Sequence, residues 1–229
     1  DSHSEYKRDT LPFSQRFIHR LGVEGRAGYI FQTSPFLEYS NHQYKAMKNA
    51  YAGHLKYSFQ LRPHTVADQA YIGAYQGIGV GYFNFGNPEE LGNPLAVYLF
   101  QGGRIAQFSP RISLNYEWNF GASFGWKPYD EYDNPENQII GSKVNAYLNV
   151  NLYLKWALSP KFDLMIGATG SHFSNGNTQY PNSGLNTVDC KVGLVYNFNR
   201  RADELAQSWQ RPIVPPFPRH VSYDLTLFG

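Results

Sequence analysis

Long stretches of this chain alternate strictly between apolar and polar residues. From 111 to 127 the odd positions are polar or small, and the even positions are apolar. These even positions are Ile112, Leu114, Tyr116, Trp118, Phe120, Ala122, Phe124 and Trp126. A period of two predicts an extended strand with one dry face and one wet face. The same alternation recurs at 51–61 and at 144–156.

The alternation predicts eight strands. They are expected at 22–33, 50–62, 69–84, 94–102, 110–127, 142–157, 161–174 and 186–198. Strands of soluble sheets usually run about 5–6 residues, whereas a tilted strand needs roughly 9–11 residues to span a membrane. Most of the predicted strands exceed the membrane length, which favours a membrane barrel over a soluble sandwich or a lipocalin-like cup, the alternatives with similar patterning.

Aromatic residues close to the predicted strand ends support the membrane assignment. They are Tyr29, Phe31, Tyr82, Trp126, Tyr129 and Trp156. Such residues are typical of the aromatic girdles at the two membrane–water interfaces. The predicted fold class is therefore all-β, a transmembrane antiparallel outer-membrane β-barrel.

The connections between the predicted strands alternate in length. Those at 34–49, 85–93, 128–141 and 175–185 are mostly long and polar, and those at 63–68, 103–109 and 158–160 are short. Outer-membrane barrels place long loops outside the cell and short turns in the periplasm. We therefore expect a periplasmic N-terminal segment at 1–21, a barrel at 22–198 and a periplasmic segment at 199–229.

The segment after Phe198 leaves the number of strands open. It contains four prolines and then a second alternating stretch at 221–227. A ninth strand cannot close a bacterial barrel, because these barrels use even numbers of strands. We expect at least eight strands, and the stop in mid-pattern at Gly229 favours a larger even number.

Composition and charge exclude several other classes of protein. The chain contains no apolar run near the roughly 20 residues of a membrane-spanning helix, and its mean hydropathy is -0.48. The net charge of +2 comes from 20 basic and 18 acidic residues scattered along the chain, so no nucleic-acid partner is indicated. Cys190 is the single cysteine, which rules out an intramolecular disulfide. The first ten residues are not a signal peptide, and an exported chain is expected to begin here after cleavage.

Candidate chemistry lies at the end of the seventh predicted strand. Its dry face continues from Gly170 to His172 and Ser174, and the dry face of the eighth strand extends back to Asn186. A histidine can take the proton of a serine hydroxyl, and an asparagine oxygen can fix the tautomer of that histidine. The arrangement suits a serine esterase that acts on an acyl ester of a membrane lipid. The spacing alone is a weak motif, and the same residues could simply lie among the lipid headgroups.

A longer motif resembles a known family. The string His172–Gly176 followed by Pro181–Gly184 resembles the His-x-Ser-Asn and Pro-Asn-x-Gly signature of lipid A 3-O-deacylases of the PagL type, also called acyloxyacyl hydrolases. Residues 77–130 are similar to the longer Bacteroidetes members of that family. The resemblance covers the chain from about the third strand onward.

The resemblance implies a fold, an activity and a set of roles. The fold would be an outer-membrane barrel, and the substrate would be lipid A of lipopolysaccharide in the outer leaflet. His172 would be the general base and Ser174 the nucleophile, while Asn175, Gly176 and Asn177 would supply the oxyanion hole. No metal or organic cofactor is implied.

The chain departs from the family at one position. The best-known members have Glu where Asn186 stands, fourteen residues after the histidine. An amide in place of the triad acid can cost about 10⁴ in rate when its NH₂ faces the histidine, although an asparagine turned the other way is functional elsewhere. Asp189 is expected on the lumen side and is no obvious substitute.

Two alternatives to an esterase follow. The missing Glu and the segment after 199 favour a non-catalytic, deacylase-like barrel that serves as a structural subunit of an outer-membrane protein complex. A passive pore is less supported, because side chains fill the interior of an eight-stranded barrel.

Three other groups of residues have structural interpretations. His54 and Lys56 are expected in a polar barrel interior. The acidic run Tyr129–Asp133 could attract a cation, although such runs are usually solvated loop. Gly77, Gly79 and Gly81 are expected to relieve crowding in the barrel wall rather than to bind a nucleotide.

Overall fold

Eight long antiparallel strands, each hydrogen-bonded to the next along the chain, form a closed barrel. The computed structural model describes residue 12 and residues 15–63 and 65–205. The strands are β1 (Phe17–Ile30), β2 (Asn49–Leu61), β3 (Tyr75–Asn84), β4 (Gly92–Ser109), β5 (Ile112–Trp126), β6 (Val144–Ala157), β7 (Phe162–Ser174) and β8 (Leu185–Asn197). The two short helices are α1 (Pro35–Glu38) and α2 (Val66–Tyr71).

The barrel closes where β1 pairs with β8, from Arg20 opposite Asn197 to Ile30 opposite Thr187. This closure confirms the predicted antiparallel barrel, and it makes the expectation of a larger even number of strands wrong. The alternating stretch at 221–227 and the four prolines before it lie outside the described residues, as do residues 1–11. Among the helices of the described part, none has the length and apolar character needed to cross a membrane.

Three strand boundaries differ from the prediction by five residues or more. β1 begins at Phe17 rather than at 22. The third strand was expected from 69, but α2 occupies that region, capped by the Thr65 hydroxyl, which accepts the Asp68 N–H at 3.2 Å. β4 continues to Ser109 rather than ending at 102, with register shifts after Arg104 that obscure the alternation.

The wall of the barrel separates apolar from polar side chains as predicted. On β2, Tyr51, Leu55 and Tyr57 face outward and are exposed, whereas His54 and Lys56 are buried inside. Five of the six expected girdle aromatics are also exposed; they are Tyr29, Phe31, Tyr82, Tyr129 and Trp156. An apolar exterior around a polar interior is the pattern of a barrel that lies in lipid.

Trp126 is the exception, and the parity argument was wrong for it. Its side chain is only 4% exposed and lies inside, where the indole N–H donates to the Ser123 hydroxyl at 2.8 Å. The preceding residue, Gly125, has a φ of 87°, which lies outside the strand region and shifts the alternation by one position.

Four connections gather at one end of the barrel, here called the loop-bearing end: 31–48, 85–91, 127–143 and 175–184. Side chains from these loops pack with aromatic residues of the strands to form an apolar core over the barrel mouth. Its members include Phe36, Leu37, Met47, Phe83, Phe85, Leu91, Trp126, Ile139, Ile140, Tyr147, Phe173 and Leu185. This core holds the loops in fixed positions relative to the strand ends.

The middle of the barrel contains an interior charge cluster: Glu24, Arg26, Lys56, Glu117 and Lys191. Glu24 accepts from Arg26 at 2.6 Å and lies 3.2 Å from the Lys191 ammonium and 3.5 Å from that of Lys56. Lys56 also donates to Glu117. Each carboxylate is therefore paired with at least one cation, as burial away from water requires.

The glycines of β3 make room for this interior, as expected. A Cβ at Gly79 would lie 2.5 Å from the Tyr98 ring, and one at Gly81 would lie 2.5 Å from the His54 ring. At the opposite end of the barrel, Arg62 pairs with Glu204 and Arg200 pairs with Asp163, each at 2.8 Å.

Candidate active site

Phe173 fixes the direction of its two neighbours on β7. Its ring is fully buried in the apolar core, with ring centroids 5.0 Å from Phe83 and 5.2 Å from Trp126. Because successive side chains of a strand point to opposite faces, His172 and Ser174 must then project from the outer wall.

The structure brings the three candidate side chains together. Asn186 of β8 lies directly opposite His172 in the strand register. The His172 Nε2 atom is 3.0 Å from the Ser174 hydroxyl, and Nδ1 is 2.7 Å from the Asn186 side-chain oxygen. All three residues are half-buried on the outer wall at the loop-bearing end.

The orientation of Asn186 assigns the tautomer of His172. Since the amide oxygen accepts from Nδ1, the proton is on Nδ1 and the lone pair of Nε2 faces the serine hydroxyl. The main-chain oxygen of Asn186 accepts the Phe31 N–H at 2.9 Å, which ties this position to the end of β1. The hydroxyl–imidazole–amide chain can therefore transfer a proton from serine to histidine.

A tight turn follows the serine. Gly176 and Asn177 have φ values of 64° and 61°, and the Thr178 N–H donates to the Asn175 carbonyl at 3.3 Å. Two successive positive φ values across such a bond are typical of a type I′ turn, which favours Gly and Asn. The N–H groups of Gly176 and Asn177 donate to none of the residues that the structure describes, so both could bind an oxyanion.

Asn182 holds this turn from both sides. Its side-chain oxygen accepts the Asn175 N–H at 3.1 Å, and its NH₂ donates to the Asn177 side-chain oxygen at 3.0 Å. The Asn175 side chain donates one N–H to the Gln179 carbonyl at 2.7 Å and keeps a second N–H. The Pro-Asn-x-Gly motif marks the position of Asn182 in the sequence, but the motif alone does not predict these two hydrogen bonds.

The same loop is braced against its neighbour and against the histidine. Ser183 and Gly184 donate main-chain N–H groups to the carbonyls of Gln138 and Ile139, both at 3.2 Å. Gly184 has a φ of 71°, and a Cβ there would lie 3.2 Å from Cε1 of His172. Any larger residue at this position would crowd the imidazole.

The remaining candidate groups lie apart from this site. Asp189 is buried inside the barrel, where it accepts from the Thr187 hydroxyl at 2.8 Å, so it faces away from His172 as expected. In the acidic loop, hydrogen bonds from the Asp133 and Tyr132 N–H groups lower the pKa of Asp130. No group of three or more potential metal ligands occurs within the described ranges.

Comparison with known proteins places these observations in a family. The family model for lipid A 3-O-deacylase (PagL) matches residues 20–195. Similar solved structures include the outer-membrane enzyme PagL, with 14% identity over 75% of this chain and 97% of that chain, and a TM-score of 0.47. Neisserial surface protein A has 11% identity over 80% of this chain and 96% of its own, with a TM-score of 0.46. No curated protein sequence matches this chain.

Proposed function

The chain belongs to the lipid A 3-O-deacylase (PagL) family and is a bacterial outer-membrane protein, and from this premise we propose that it is a serine esterase that removes an ester-linked acyl chain from lipid A. The observation that carries the proposal is the contact chain from Ser174 through His172 to Asn186, at 3.0 and 2.7 Å on the outer wall. These distances lie in the range required for a nucleophile and its base.

In the first half of the reaction, Nε2 of His172 takes the proton of the Ser174 hydroxyl as the oxygen attacks the ester carbonyl. The ester C–O bond then breaks, and the imidazolium gives its proton to the sugar oxygen that leaves. An acyl group remains on Ser174. Water, deprotonated by the same nitrogen, attacks this acyl group and releases the fatty acid.

The turn after the serine supplies the oxyanion donors in this proposal. The N–H groups of Gly176 and Asn177 and the second side-chain N–H of Asn175 are the candidates. Preorganised donors of this kind typically contribute about 10²–10³ in rate each. Asn182 positions them through its two bonds to the turn.

The site's location matches a lipid substrate. With the long loops outside the cell, Ser174 lies at the outer-leaflet end of the apolar wall, where the acyl esters of lipid A meet the membrane. No passage through the barrel interior is needed, and the interior is filled by charged and aromatic side chains.

Asn186 is the residue that favours the second candidate function, a deacylase-like barrel without activity that acts as a subunit of an outer-membrane complex. An amide cannot offer the full negative charge of the family's Glu to an imidazolium. Its oxygen nevertheless faces Nδ1, which is the orientation that keeps the histidine in the productive tautomer. We therefore place the esterase first.

The test is to express the chain in a lipopolysaccharide-bearing host and to compare lipid A by mass spectrometry. Wild type should remove one acyl chain, and Ser174→Ala should leave lipid A intact. Ser183→Ala is the matched control, since it removes an exposed hydroxyl from the loop that follows Ser174. Unchanged lipid A from a folded wild type, together with co-purification in a stable complex, would favour the structural role instead.

A further inference from the structure

Two exposed side chains near Ser174 have no partner among the residues that the structure describes. Lys143 is the last residue before β6, and Tyr180 lies in the connection between β7 and β8. The Tyr180 side chain is 74% exposed and makes neither a hydrogen bond nor a ring contact within the described part of the chain. Lys143 is exposed as well and forms no ion pair with a described residue. The fold thus leaves an aromatic ring and an ammonium available to a ligand.

Main-chain contacts hold these two positions close to each other and to the serine. Gly141, two residues before the lysine, touches the main chain of Tyr180, because a Cβ at Gly141 would lie 2.8 Å from the Tyr180 carbonyl carbon. On its other side, Tyr180 follows Gln179, whose carbonyl accepts from the Asn175 side chain at 2.7 Å. Asn175 is the residue directly after the serine. Tyr180 therefore lies between the candidate nucleophile and the lysine.

The register of β6 sets the height of Lys143 relative to the serine. Ala146 lies opposite Ser174, and three residues at roughly 3.3 Å each place the Lys143 Cα about 10 Å further toward the loop-bearing end. The main chain around the lysine is fixed: the Ser142 hydroxyl donates to the Asn145 side-chain oxygen, and the Asn145 NH₂ donates to the Ser142 carbonyl, both at 2.9 Å. If the serine lies at the level of the acyl esters, the lysine lies at the level of the headgroup.

The acidic residues of the β5–β6 connection do not neutralise Lys143. They are Asp130, Glu131, Asp133 and Glu136. That part of the connection is bound to the β3–β4 connection, since the side chains of Asn134 and Asn137 donate to the Glu90 carbonyl at 2.9 and 3.0 Å. The later residues of the same connection bind the loop that carries Tyr180, through the carbonyls of residues 138 and 139. The positive charge of Lys143 therefore remains uncompensated beside the candidate active site.

A phosphorylated sugar has the chemistry that suits this pair. The electron-rich face of an aromatic ring attracts the C–H groups of a sugar ring, and a lysine ammonium binds phosphate as a point charge. Lipid A carries its acyl esters on phosphorylated glucosamine rings, so an ester at Ser174 brings such a ring to the level of Lys143 and Tyr180. We propose that Lys143 and Tyr180 form a binding site for the phosphorylated sugar of the lipid whose ester reaches Ser174. This inference rests on the proposed function and adds to it the recognition of the headgroup.

Binding can be measured without turnover in the Ser174→Ala variant of the full chain. Fluorescently labelled lipid A in detergent micelles is titrated with this protein, once phosphorylated and once after removal of its phosphates. Adding Lys143→Gln should weaken binding of the phosphorylated lipid about 10-fold and should not change binding of the dephosphorylated lipid. Lys45→Gln, at an exposed lysine of the β1–β2 connection, is the matched control and should retain full affinity for both lipids. An unchanged affinity of the Lys143→Gln protein for phosphorylated lipid A would overturn the proposal.

The aromatic half of the site has its own test in the same assay. Tyr180→Ala should weaken binding of both lipids about 5-fold, and Tyr180→Phe, which keeps the ring, should restore it. Tyr132→Ala, at a tyrosine that is 87% exposed on another loop, is the control and should bind as the parent does. Phosphatidylglycerol, which has a phosphate but no sugar ring, should compete only weakly. Competition as strong as that of unlabelled lipid A would overturn the assignment to a sugar.

The binding assay separates this proposal from the esterase. If the wild type left lipid A intact but the affinities depended on Lys143 and Tyr180 as described, the esterase would fail and the headgroup site would stand. If the wild type hydrolysed lipid A and neither substitution changed the affinity, the headgroup site alone would fail.

Discussion

Two polar clusters lie on opposite faces of the same barrel wall, and they are built from different chemistry. The interior charge cluster consists of fully charged side chains, each carboxylate contacting one or more cations. The outer cluster, Ser174, His172 and Asn186, consists of a hydroxyl, an imidazole and an amide, none with a fixed charge.

The difference follows from what surrounds each cluster. Inside the barrel, charges can be matched because different strands bring acids and bases together, as where Lys191 of β8 lies 3.2 Å from Glu24 of β1. On the outer wall the neighbours are apolar side chains and lipid, so a fixed charge would be costly to desolvate. Asn186 adds no charge of its own to this wall and still supplies an acceptor to His172. The interior cluster should therefore govern stability, and the outer cluster should govern activity.

Replacing one histidine on each face of the wall, His172 outside and His54 inside, tests this division most strongly. We expect His172→Ala to lower the deacylation rate by at least roughly 10³-fold, because Ser174 loses its base, and to leave folding intact. His54→Ala, the same change inside the barrel, should lower the unfolding free energy and leave the rate per folded molecule nearly unchanged. Rates on lipopolysaccharide in mixed micelles and heat-modifiability on gels measure the two effects. Equal loss of rate in both variants would break the division.

Glu24→Gln should produce the next largest effect, which is a loss of folding stability. Removal of the shared carboxylate leaves Arg26 and Lys191 without their charge partner, which should cost about 3–5 kcal/mol of unfolding free energy. Glu131→Gln, in an exposed loop, is the control and should change stability by less than about 0.5 kcal/mol. Urea unfolding in detergent measures the stability of both variants. If Glu24→Gln were as stable as the wild type, the pairing of charges would not stabilise the barrel interior.

Asn182→Ala should lower kcat by about 10–10²-fold with little change in KM or stability, because the turn that carries the oxyanion donors loses its two braces. Asn182→Asp keeps the oxygen that accepts from Asn175 and loses the donor to Asn177, so its kcat should be intermediate. A raised KM with unchanged kcat would instead assign Asn182 to lipid binding.

Asn186→Glu should give the smallest effect, which is an increase of the deacylation rate rather than a loss. A charge-assisted hydrogen bond is roughly twice as strong as a neutral one, so stabilisation of the His172 imidazolium should raise the rate by about 5–10-fold. Asn186→Leu, which removes the acceptor, should lower it. If both variants matched the wild-type rate, Asn186 would have no part in the chemistry.

The alternation of residues was enough to predict the barrel and the outward direction of the candidate site. Parity alone placed Ser174, His172 and Asn186 on one wall, because β7 and β8 are regular around them. Parity failed where the backbone leaves the strand region, as at Gly125, which turned Trp126 inward. It also missed α2, whose Thr65 cap was the available signal.

The remaining features of the fold and of the candidate site depend on contacts between distant parts of the chain. Nothing in the local sequence pairs Glu24 with Lys191, or Ser183 with Gln138, since these contacts arise only when the barrel closes and the loops fold over its mouth. The bonds of Asn182 to the turn are equally a product of loop geometry, although its motif had marked the position.

The outward position of Ser174 determines how the proposed reaction would be measured. An ester reaches this hydroxyl by lateral diffusion within the leaflet, so encounters occur in two dimensions. The relevant concentration is then the mole fraction of lipid A in the surface rather than its bulk molarity. Dilution with inert phospholipid at constant total lipid A should slow turnover, and the apparent KM of the enzyme is properly expressed as a surface fraction.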